Sequence, residues 1–263
     1  MTTDEAGDFA LGVGAENFHN YQNLSCHAFL LSFVGQENLK DSVPKIGWSP
    51  TETYAQYRLN HAGFPVWFGD ITEVAAAAKQ RVSVFICPSD PEGFDPMVIV
   101  ASQPIDLLEE NPSTSTPAIV VGVTDSPELG FTNYGANWGA FWTDNQSIRK
   151  GPMASGRSVH LGEIRDGLSS SIMFGEVVGN GTSEERIRSS WLFGGLMTFS
   201  DNGRPIVIGR PDNSLFNSFA SPHPTCANVA FCDGSVHVIN RDISRETIMS
   251  LAGIDDGEAS SNY

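Results

Sequence analysis

His223 and the pair Asp233-Gly234 are the residues whose types and spacing are best suited to chemistry in this sequence. An imidazole and a carboxylate could together ligate a metal ion or relay a proton. A structural role is also open to them. Asp-Gly is a favoured pair at the turn of a β-hairpin, and a nearby histidine could hydrogen-bond the carbonyl groups there. Few ionisable side chains accompany the pair, which favours the structural role over proton transfer.

A second group of acidic residues lies close to the C-terminus, where Asp255, Asp256 and Glu258 follow one another closely. Carboxylate oxygens are the ligands that Ca²⁺ prefers, so these residues form a candidate calcium site. Their spacing is not that of an EF-hand loop, and a solvated acidic tail is the simpler interpretation. The sequence predicts no certain cofactor, and calcium is the one that it suggests.

Asp166 and Glu176 form a third candidate, because a pair of carboxylates held at a suitable separation can hydrolyse a glycosidic bond. Asp166, however, precedes Gly167 at a predicted turn, and Glu176 follows a predicted strand. Structural roles are therefore favoured for both, with Glu176 anchoring a loop through backbone N–H groups. The sequence has no nucleophile elbow, phosphate-binding loop or dinucleotide fingerprint. It predicts a protein that is not an enzyme.

Three aromatic residues, Tyr134, Trp138 and Trp142, lie close together in sequence around Gly135 and Gly139. Exposed aromatic rings can stack on sugars, which makes these residues a candidate ligand-binding surface. Burial in the core is the more common fate of tryptophan. Both interpretations stay open at this point.

The Asp-Gly pair is flanked by two runs of apolar and β-branched residues, which predicts a β-hairpin with a two-residue turn. In that register Phe231 faces Val236 and Val229 faces Val238. Because side chains alternate between the two faces of a strand, these four residues would share the buried face.

Periodicity and turn signals predict the remaining elements. Predicted helices cover residues 9–40, 51–59, 71–80 and 241–251. Predicted strands cover residues 82–86, 117–124, 157–164 and 171–178, and a second hairpin is predicted over residues 190–209 around Asn202-Gly203. Residues 135–139 are predicted to form a tight aromatic loop. Residues 89–117, rich in Pro, Ser, Thr and Glu, are predicted to form an exposed, variable insertion.

Composition limits the classes of function. The chain has 263 residues, of which 40% are hydrophobic, enough for one large domain with a sizeable core. Its formal net charge of −16, from 31 acidic and 15 basic residues, argues against nucleic acid as a partner. The four cysteines lack zinc-finger spacing and are interpreted mainly as small buried residues. No apolar run approaches the roughly 20 residues that span a bilayer.

Several blocks of this sequence resemble, in family order, the motifs of the H-X9-DG family, a bacterial family of pilin-like envelope proteins (DUF1559) that is abundant in planctomycetes. The spacing from His223 to Asp233-Gly234 matches the signature that gives the family its name. Further matching blocks are Phe18–Tyr21, Phe85–Pro91 (a "CPSDP" block), Asn133–Asn137, Ile164–Ser171 with Gly175-Glu176, and Gly257-Glu258.

The resemblance implies an α+β, pilin-like fold in which an N-terminal helix packs on an antiparallel sheet with loop-rich insertions. Residues 9–259 would form a single domain, preceded by a disordered or expression-derived start at 1–8 and followed by a tail at 260–263. Family members normally carry a hydrophobic anchoring helix, which this chain lacks. Either the anchor was removed before expression, or this is a natural anchorless variant.

The function implied by the resemblance is that of a non-enzymatic pilin- or pseudopilin-like subunit of the bacterial cell envelope or of a type II secretion-like apparatus. Its partners would be copies of itself or related subunits, on the periplasmic or extracellular face. The membrane would be contacted only through the missing helix. The alternative is an extracellular module that binds a solute or a glycan through the aromatic residues.

Overall fold

A computed structural model shows an α+β fold. It describes residues 25–43, 72–90, 97–105, 118–123, 129–141, 148–153, 159–178, 180–181, 186–192, 196–200, 207–208, 219–240 and 242–257. The α-helices are α1 (His27–Leu30), α2 (Glu37–Ser42), α3 (Thr72–Ala78) and α4 (Arg245–Ala252). Shorter 3-10 helices occupy Leu31–Val34, Ser83–Phe85, Leu161–Glu163 and Leu168–Ser170. Over these ranges, none of the helices has the length and apolar character required to cross a membrane.

The strands are β1 (Met97–Ile105), β2 (Ala118–Val123), β3 (Tyr134–Phe141), β4 (Ile148–Lys150), β5 (Ile172–Glu176), β6 (Asn180–Gly181), β7 (Arg186–Ser189), β8 (Leu196–Ser200), β9 (Val207–Ile208), β10 (Ala220–Ser221), β11 (Cys226–Phe231) and β12 (Val236–Asn240). Half of them pair in a six-stranded sheet with the antiparallel order β12-β11-β5-β3-β4, in which β8 also pairs with β3 in parallel. A four-stranded sheet has the order β2-β1-β7-β6, and β9 pairs with β10.

Helix α4 packs against the six-stranded sheet and forms a core with it. Phe231 and Ile239 of the hairpin are buried there together with Ile248 and Leu251 of α4. The helix begins where Ser244 caps it, with the Ser244 side chain accepting a hydrogen bond from the Thr247 backbone N–H. The predicted C-terminal helix is thus confirmed, although it begins at Arg245 rather than at residue 241.

The hairpin between β11 and β12 is confirmed, but its predicted register is wrong by one residue. Val229 faces His237 and Ala230 faces Val236. The reason is the loop, which has three residues rather than two and contains Gly234 at φ 87°. A left-handed residue at the end of a three-residue loop is a common hairpin solution, and it shifts the pairing of both strands.

The shift in register reverses the faces of β12. The β11 side chains Val229 and Phe231 are buried, as predicted. Val236 and Val238, which were predicted to join them, are 68% and 56% exposed. A one-residue slip moves every side chain of a strand to the opposite face of the sheet.

The predicted N-terminal helix over residues 9–40 is interrupted in the part that the structure describes, and its first part, residues 9–24, lies outside that part. Helix α1 passes into the 3-10 helix Leu31–Val34, which ends at Gly35 with φ 74°. Glycine adopts this left-handed conformation at little cost, and it closes helices for that reason. Helix α2 then begins separately at Glu37.

Other predicted elements have mixed outcomes. The structure confirms the predicted helix at 71–80, which is α3. It also confirms the predicted strands at 117–124 and 171–178, which are β2 and β5. Residues 82–86 and 157–164 are wrong as strands, because both contain 3-10 helices held by local hydrogen bonds. Residues 135–139 are wrong as a loop, since they belong to β3.

The second predicted hairpin is also wrong, because its two arms pair elsewhere: β8 with β3, and β9 with β10. The segment predicted as an exposed insertion, residues 89–117, contains the nine-residue strand β1. Several predictions lie outside the described residues, namely the helix at 51–59, the turn at 202–203, and both termini.

His27 is a buried histidine in the second core, which the N-terminal helices form with Trp191 and Phe85. Its Nδ1 lies 3.0 Å from the Ser25 hydroxyl and its Nε2 lies 3.3 Å from the Thr132 hydroxyl. The Phe85 ring packs edge-on against the imidazole at 4.8 Å. Burial lowers the pKa of His27 from 6.5 to about 4.

We therefore expect His27 to make the fold sensitive to acid. Between pH 6.5 and about 4 the unfolded chain takes up a proton at this position and the folded chain does not, so the free energy of unfolding falls as pH decreases. At pH values below the folded-state pKa, the total decrease in the free energy of unfolding should reach about 3 kcal/mol. Urea unfolding at pH 7, 5.5 and 4 measures it.

His27→Gln should reduce this pH dependence, whereas the same change at the exposed His160 should leave it as it is in the unmodified chain. Equal slopes for the unmodified chain and His27→Gln would contradict the prediction.

Candidate functional site

Four segments that are far apart in sequence bring polar side chains to one place beside the central sheet. Glu176 ends β5, and Tyr134 begins β3 directly opposite it in the antiparallel pairing. Cys87 follows the 3-10 helix Ser83–Phe85, and His223 lies in the turn after β10. We refer to Cys87, Tyr134, Glu176 and His223 as the central cluster.

Glu176 is a buried carboxylate, only 2% exposed, and donors on neighbouring strands fix both of its oxygens. Its Oε2 accepts hydrogen bonds from the Ser221 hydroxyl at 2.7 Å and from the Asn228 backbone N–H at 3.0 Å. Its Oε1 accepts from the Asn228 side-chain amide at 2.9 Å. Because an uncompensated buried charge is very costly, these bonds are what allow a carboxylate at this position.

His223 and Cys87 both approach the same oxygen of Glu176. The His223 Nε2 atom lies 3.3 Å from Glu176 Oε1, and the Cys87 sulfur lies 3.9 Å from that oxygen. The sulfur is also 3.9 Å from His223 Nε2. The side chain of His223 is 27% exposed, so the cluster is reached from solvent at this residue. Its backbone N–H donates to the Ser221 hydroxyl at 3.2 Å.

A second buried network holds Cys87 in position. The Cys87 N–H donates to the Asn133 side-chain oxygen at 3.0 Å, and the Asn133 amide donates to Asp90 at 2.6 Å and to the Val177 carbonyl at 3.0 Å. Asp90 in turn forms a buried ion pair with Arg188 at 2.7 Å. The Cys87 loop is thereby tied to β3, β5 and β7.

The surroundings of the central cluster favour neutral forms of its thiol and its phenol. Burial, with a contribution from the nearby Glu176 charge, raises the pKa of the Cys87 thiol above its ordinary value. Burial and the neighbouring Cys87 and Glu176 raise the pKa of Tyr134 to about 12. A thiol of this kind is a poor nucleophile at neutral pH, because the thiolate is the reactive form.

The geometry also differs from that of a catalytic relay. In a relay, the histidine uses one ring nitrogen for the nucleophile and the other for the carboxylate. Here the same atom, Nε2 of His223, faces both Cys87 and Glu176. The three side chains instead direct one sulfur, one nitrogen and one oxygen towards a common point, all within 4.8 Å of one another. Such an arrangement could hold a metal ion.

Asp233, the predicted partner of His223, has a different role in the structure. It is exposed in the hairpin loop, where Oδ1 accepts hydrogen bonds from the Ser235 backbone N–H at 2.8 Å and from its hydroxyl at 2.6 Å. These bonds lower the pKa of the Asp233 carboxyl. The loop is also tied to a neighbouring turn, since Asp233 N donates to the Leu168 carbonyl at 3.1 Å. His223 meets Glu176 and Cys87 instead.

Asp166, which was considered as a partner of Glu176, holds the C-terminal loop. It is buried at the start of the turn that contains Gly167, at φ 103°. Its two oxygens accept the backbone N–H groups of Asp256 and Gly257, both at 2.9 Å. Glu176 stabilises the central cluster, so the two carboxylates act in separate networks.

The residues of the candidate calcium site face arginines. Asp255 forms an exposed ion pair with Arg165 at 3.1 Å, and Asp256 forms a largely buried ion pair with Arg149. Glu258 lies outside the described residues. Calcium binding at these residues stays a prediction.

The candidate aromatic surface is divided in the structure. Tyr134 belongs to the central cluster, and Trp138 is half-buried further along β3. Trp142 lies outside the described part of the chain. Binding of a solute or a glycan here stays a prediction.

Sequence reasoning did not assign a role to several residues of the site, namely Cys87, Asp90, Asn133, Ser221 and Asn228. A signal for the first three was present, because they lie in blocks that carried the family resemblance. For Ser221 and Asn228 the sequence gives no signal, since ordinary polar residues become donors to Glu176 only through strand pairing.

Comparison with known proteins agrees with the resemblance seen in the sequence. A family model described as "Protein of unknown function (DUF1559)" matches residues 10–246. No curated protein and no solved structure matches this chain.

Replacing Glu176 by glutamine should destabilise the fold. The amide group would place a donor where the carboxylate now accepts hydrogen bonds, leaving buried donors unsatisfied, at a cost of about 1–3 kcal/mol. Asp255→Asn is a matched control. This substitution also removes one carboxylate charge. Because the ion pair of Asp255 with Arg165 is exposed, the substitution should change the free energy of unfolding by less than about 1 kcal/mol. Urea denaturation measures both, and equal midpoints for the two variants would contradict the role of Glu176.

Asp166→Ala should release the C-terminal loop locally. Removing the acceptor of two backbone N–H groups should increase hydrogen exchange at Asp256 and Gly257 by about tenfold or more, with less change at β11. Asp233→Ala provides a comparison at an exposed turn. Unchanged exchange at both amides in Asp166→Ala would show that other contacts hold the loop.

Proposed function

We propose that this chain, which belongs to the DUF1559 family, is a non-enzymatic structural subunit that associates with copies of itself or with related subunits at the bacterial cell envelope. The observation that carries the proposal is the edge strand β12. Within the residues that the structure describes, β12 pairs with β11 alone and presents Val236 and Val238 to solvent. The envelope location is part of the proposal and rests on the resemblance of the sequence blocks to pilin-like proteins.

The composition of β12 suits it to pairing with another strand. An edge strand offers a row of backbone donors and acceptors, and proteins that avoid association usually guard such an edge with charged residues or proline. The sequence of β12, Val-His-Val-Ile-Asn, has neither. Two exposed β-branched residues on one face add apolar surface that a second strand or sheet would cover.

A second apolar surface lies on the N-terminal helices. Phe29 and Phe33, four residues apart, are 53% and 85% exposed. Two different apolar surfaces on one subunit support head-to-tail association, in which one surface contacts the other on the next copy. This mode of association produces rings or filaments, as expected of a pilin-like subunit.

The central cluster supports the non-enzymatic part of the proposal. Burial raises the pKa of its thiol, and its histidine directs a single nitrogen to both neighbours. Both oxygens of Glu176 already accept hydrogen bonds, Oε2 from Ser221 and the Asn228 backbone and Oε1 from the Asn228 side chain. These side chains are therefore arranged for rigidity rather than for proton transfer.

The charge of the chain gives the proposal a clear signature. With a net charge of −16, copies repel one another at low ionic strength, and salt screens that repulsion over about 10 Å at 0.1 M. Association through apolar surfaces should therefore strengthen as salt is added, in contrast to association through ion pairs.

We expect sedimentation velocity to show oligomers that grow with protein concentration and with salt between 0.05 and about 0.5 M. Val238→Lys should reduce the association constant by about tenfold or more, because a lysine on an edge strand opposes pairing. Val84→Lys is the matched control. It makes the same change at a valine of similar exposure, 52%, in the 3-10 helix Ser83–Phe85.

A chain that stays monomeric under all these conditions would overturn the proposal. Equal association of Val238→Lys and Val84→Lys would show that β12 is not the surface involved.

A further inference from the structure

We propose that Cys87, Glu176 and His223 bind a zinc ion through Sγ, Oε1 and Nε2. The proposal concerns a site separate from the assembly surface and from the acidic residues near the C-terminus. It rests on the convergence of three different ligand atoms that come from three distant parts of the chain.

The distances between these atoms match one face of a tetrahedral zinc site. Zinc bonds of about 2.3 Å to sulfur and 2.0–2.2 Å to nitrogen and oxygen place the nitrogen and oxygen about 3.4 Å apart, and the sulfur about 3.6 Å from each. The observed separations are 3.3 Å for Nε2 to Oε1 and 3.9 Å from the sulfur to each of the other two atoms. A rotation of the Cys87 side chain that moves the sulfur by a few tenths of an ångström closes the difference.

The donor set selects the class of metal. Calcium and magnesium require oxygen ligands, so a site with a sulfur and an imidazole excludes them. Thiolate, imidazole and carboxylate together are typical of zinc. A zinc-bound cysteine is a thiolate, and with the Glu176 carboxylate it supplies two negative charges that balance the dication.

Residues behind each ligand hold it in place, as is usual around metal sites. The second oxygen of Glu176 is bound by Ser221 and Asn228. Asn133 accepts from the backbone of Cys87, and the Ser221 hydroxyl accepts from the backbone of His223. The ligands are therefore positioned in advance, and little ordering is needed when the ion binds.

The site is accessible on one side only. The partly exposed His223 provides the path by which an ion enters, while Cys87 and Glu176 are buried. Three protein ligands leave one of four positions for a water molecule or for a donor from outside the chain.

The test is titration of chelator-treated protein, without an affinity tag, with Zn²⁺ and with Co²⁺. We expect one Zn²⁺ per chain by calorimetry and a higher melting temperature with zinc than without it. Cobalt should give a thiolate charge-transfer band and the strong visible absorption of a tetrahedral site.

Cys87→Ser and His223→Ala should each lower zinc affinity by about 100-fold or more and remove the shift in melting temperature. Cys226→Ser and His160→Ala are matched controls that change the same residue types outside the cluster and should bind zinc like the unmodified chain. Circular dichroism of the metal-free variants establishes that they are folded.

Three results would overturn the proposal: no zinc binding by the folded chain, zinc affinity unchanged in both cluster variants, or a cobalt complex without the thiolate band. None of these results bears on association through β12, because the assembly test is read by sedimentation and uses other residues.

Discussion

The buried carboxylate of Glu176 is the constraint on which the centre of this structure depends. A charge taken out of water must be matched by donors, and here the donors come from β11, from the end of β10 and from the following turn. Each of these bonds is satisfied only when β5 lies between β3 and β11 in one register. The polar network therefore specifies the arrangement of the sheet, while the apolar core beneath it supplies most of the free energy of folding.

Blocks of sequence that carry the family resemblance meet in two places. The Cys87 block, the Asn133 block, Glu176 and His223 meet at the central cluster. The second group joins the turn after Asp166, the hairpin loop and the C-terminal loop through backbone hydrogen bonds. One signature spans both places, because His223 lies in the first and Asp233 in the second. The motif thus connects two ends of a hairpin rather than forming one site.

Several predictions that rest on residues adjacent in sequence are correct, whereas the register and the residue pairings that depend on contacts between distant segments are wrong. The Asp-Gly turn, the helical pattern of residues 241–251 and the apolar run of β2 are local signals, and they correctly predict a hairpin, a helix and a strand. The hairpin register depends instead on a three-residue loop. In it the Cys232 N–H donates to the Ser171 carbonyl and the Asp233 N–H donates to the Leu168 carbonyl, and no local pattern encodes these two bonds. The same holds for the site. Glu176 and His223 were both identified as candidates. Sequence spacing, however, paired Glu176 with Asp166 and His223 with Asp233, because the strand order that brings Glu176 and His223 together cannot be read from spacing.

The strand order also explains how the central cluster bears on the proposed assembly surface. Tyr134 in β3 faces Glu176 in β5, Glu176 is hydrogen-bonded by Asn228 in β11, and Asn228 faces Val238 in β12. A single row of residues thus crosses four strands from the buried site to the exposed edge. Both the backbone and the side chain of Asn228 are bound to Glu176, so β11 is fixed in register, and the pairing of Asn228 with Val238 carries that register to β12. If β11 slipped by one residue, Val236 and Val238 would turn inward and the edge would present a different set of side chains. A rigid polar site at the centre of the sheet is therefore what gives the edge a defined apolar surface.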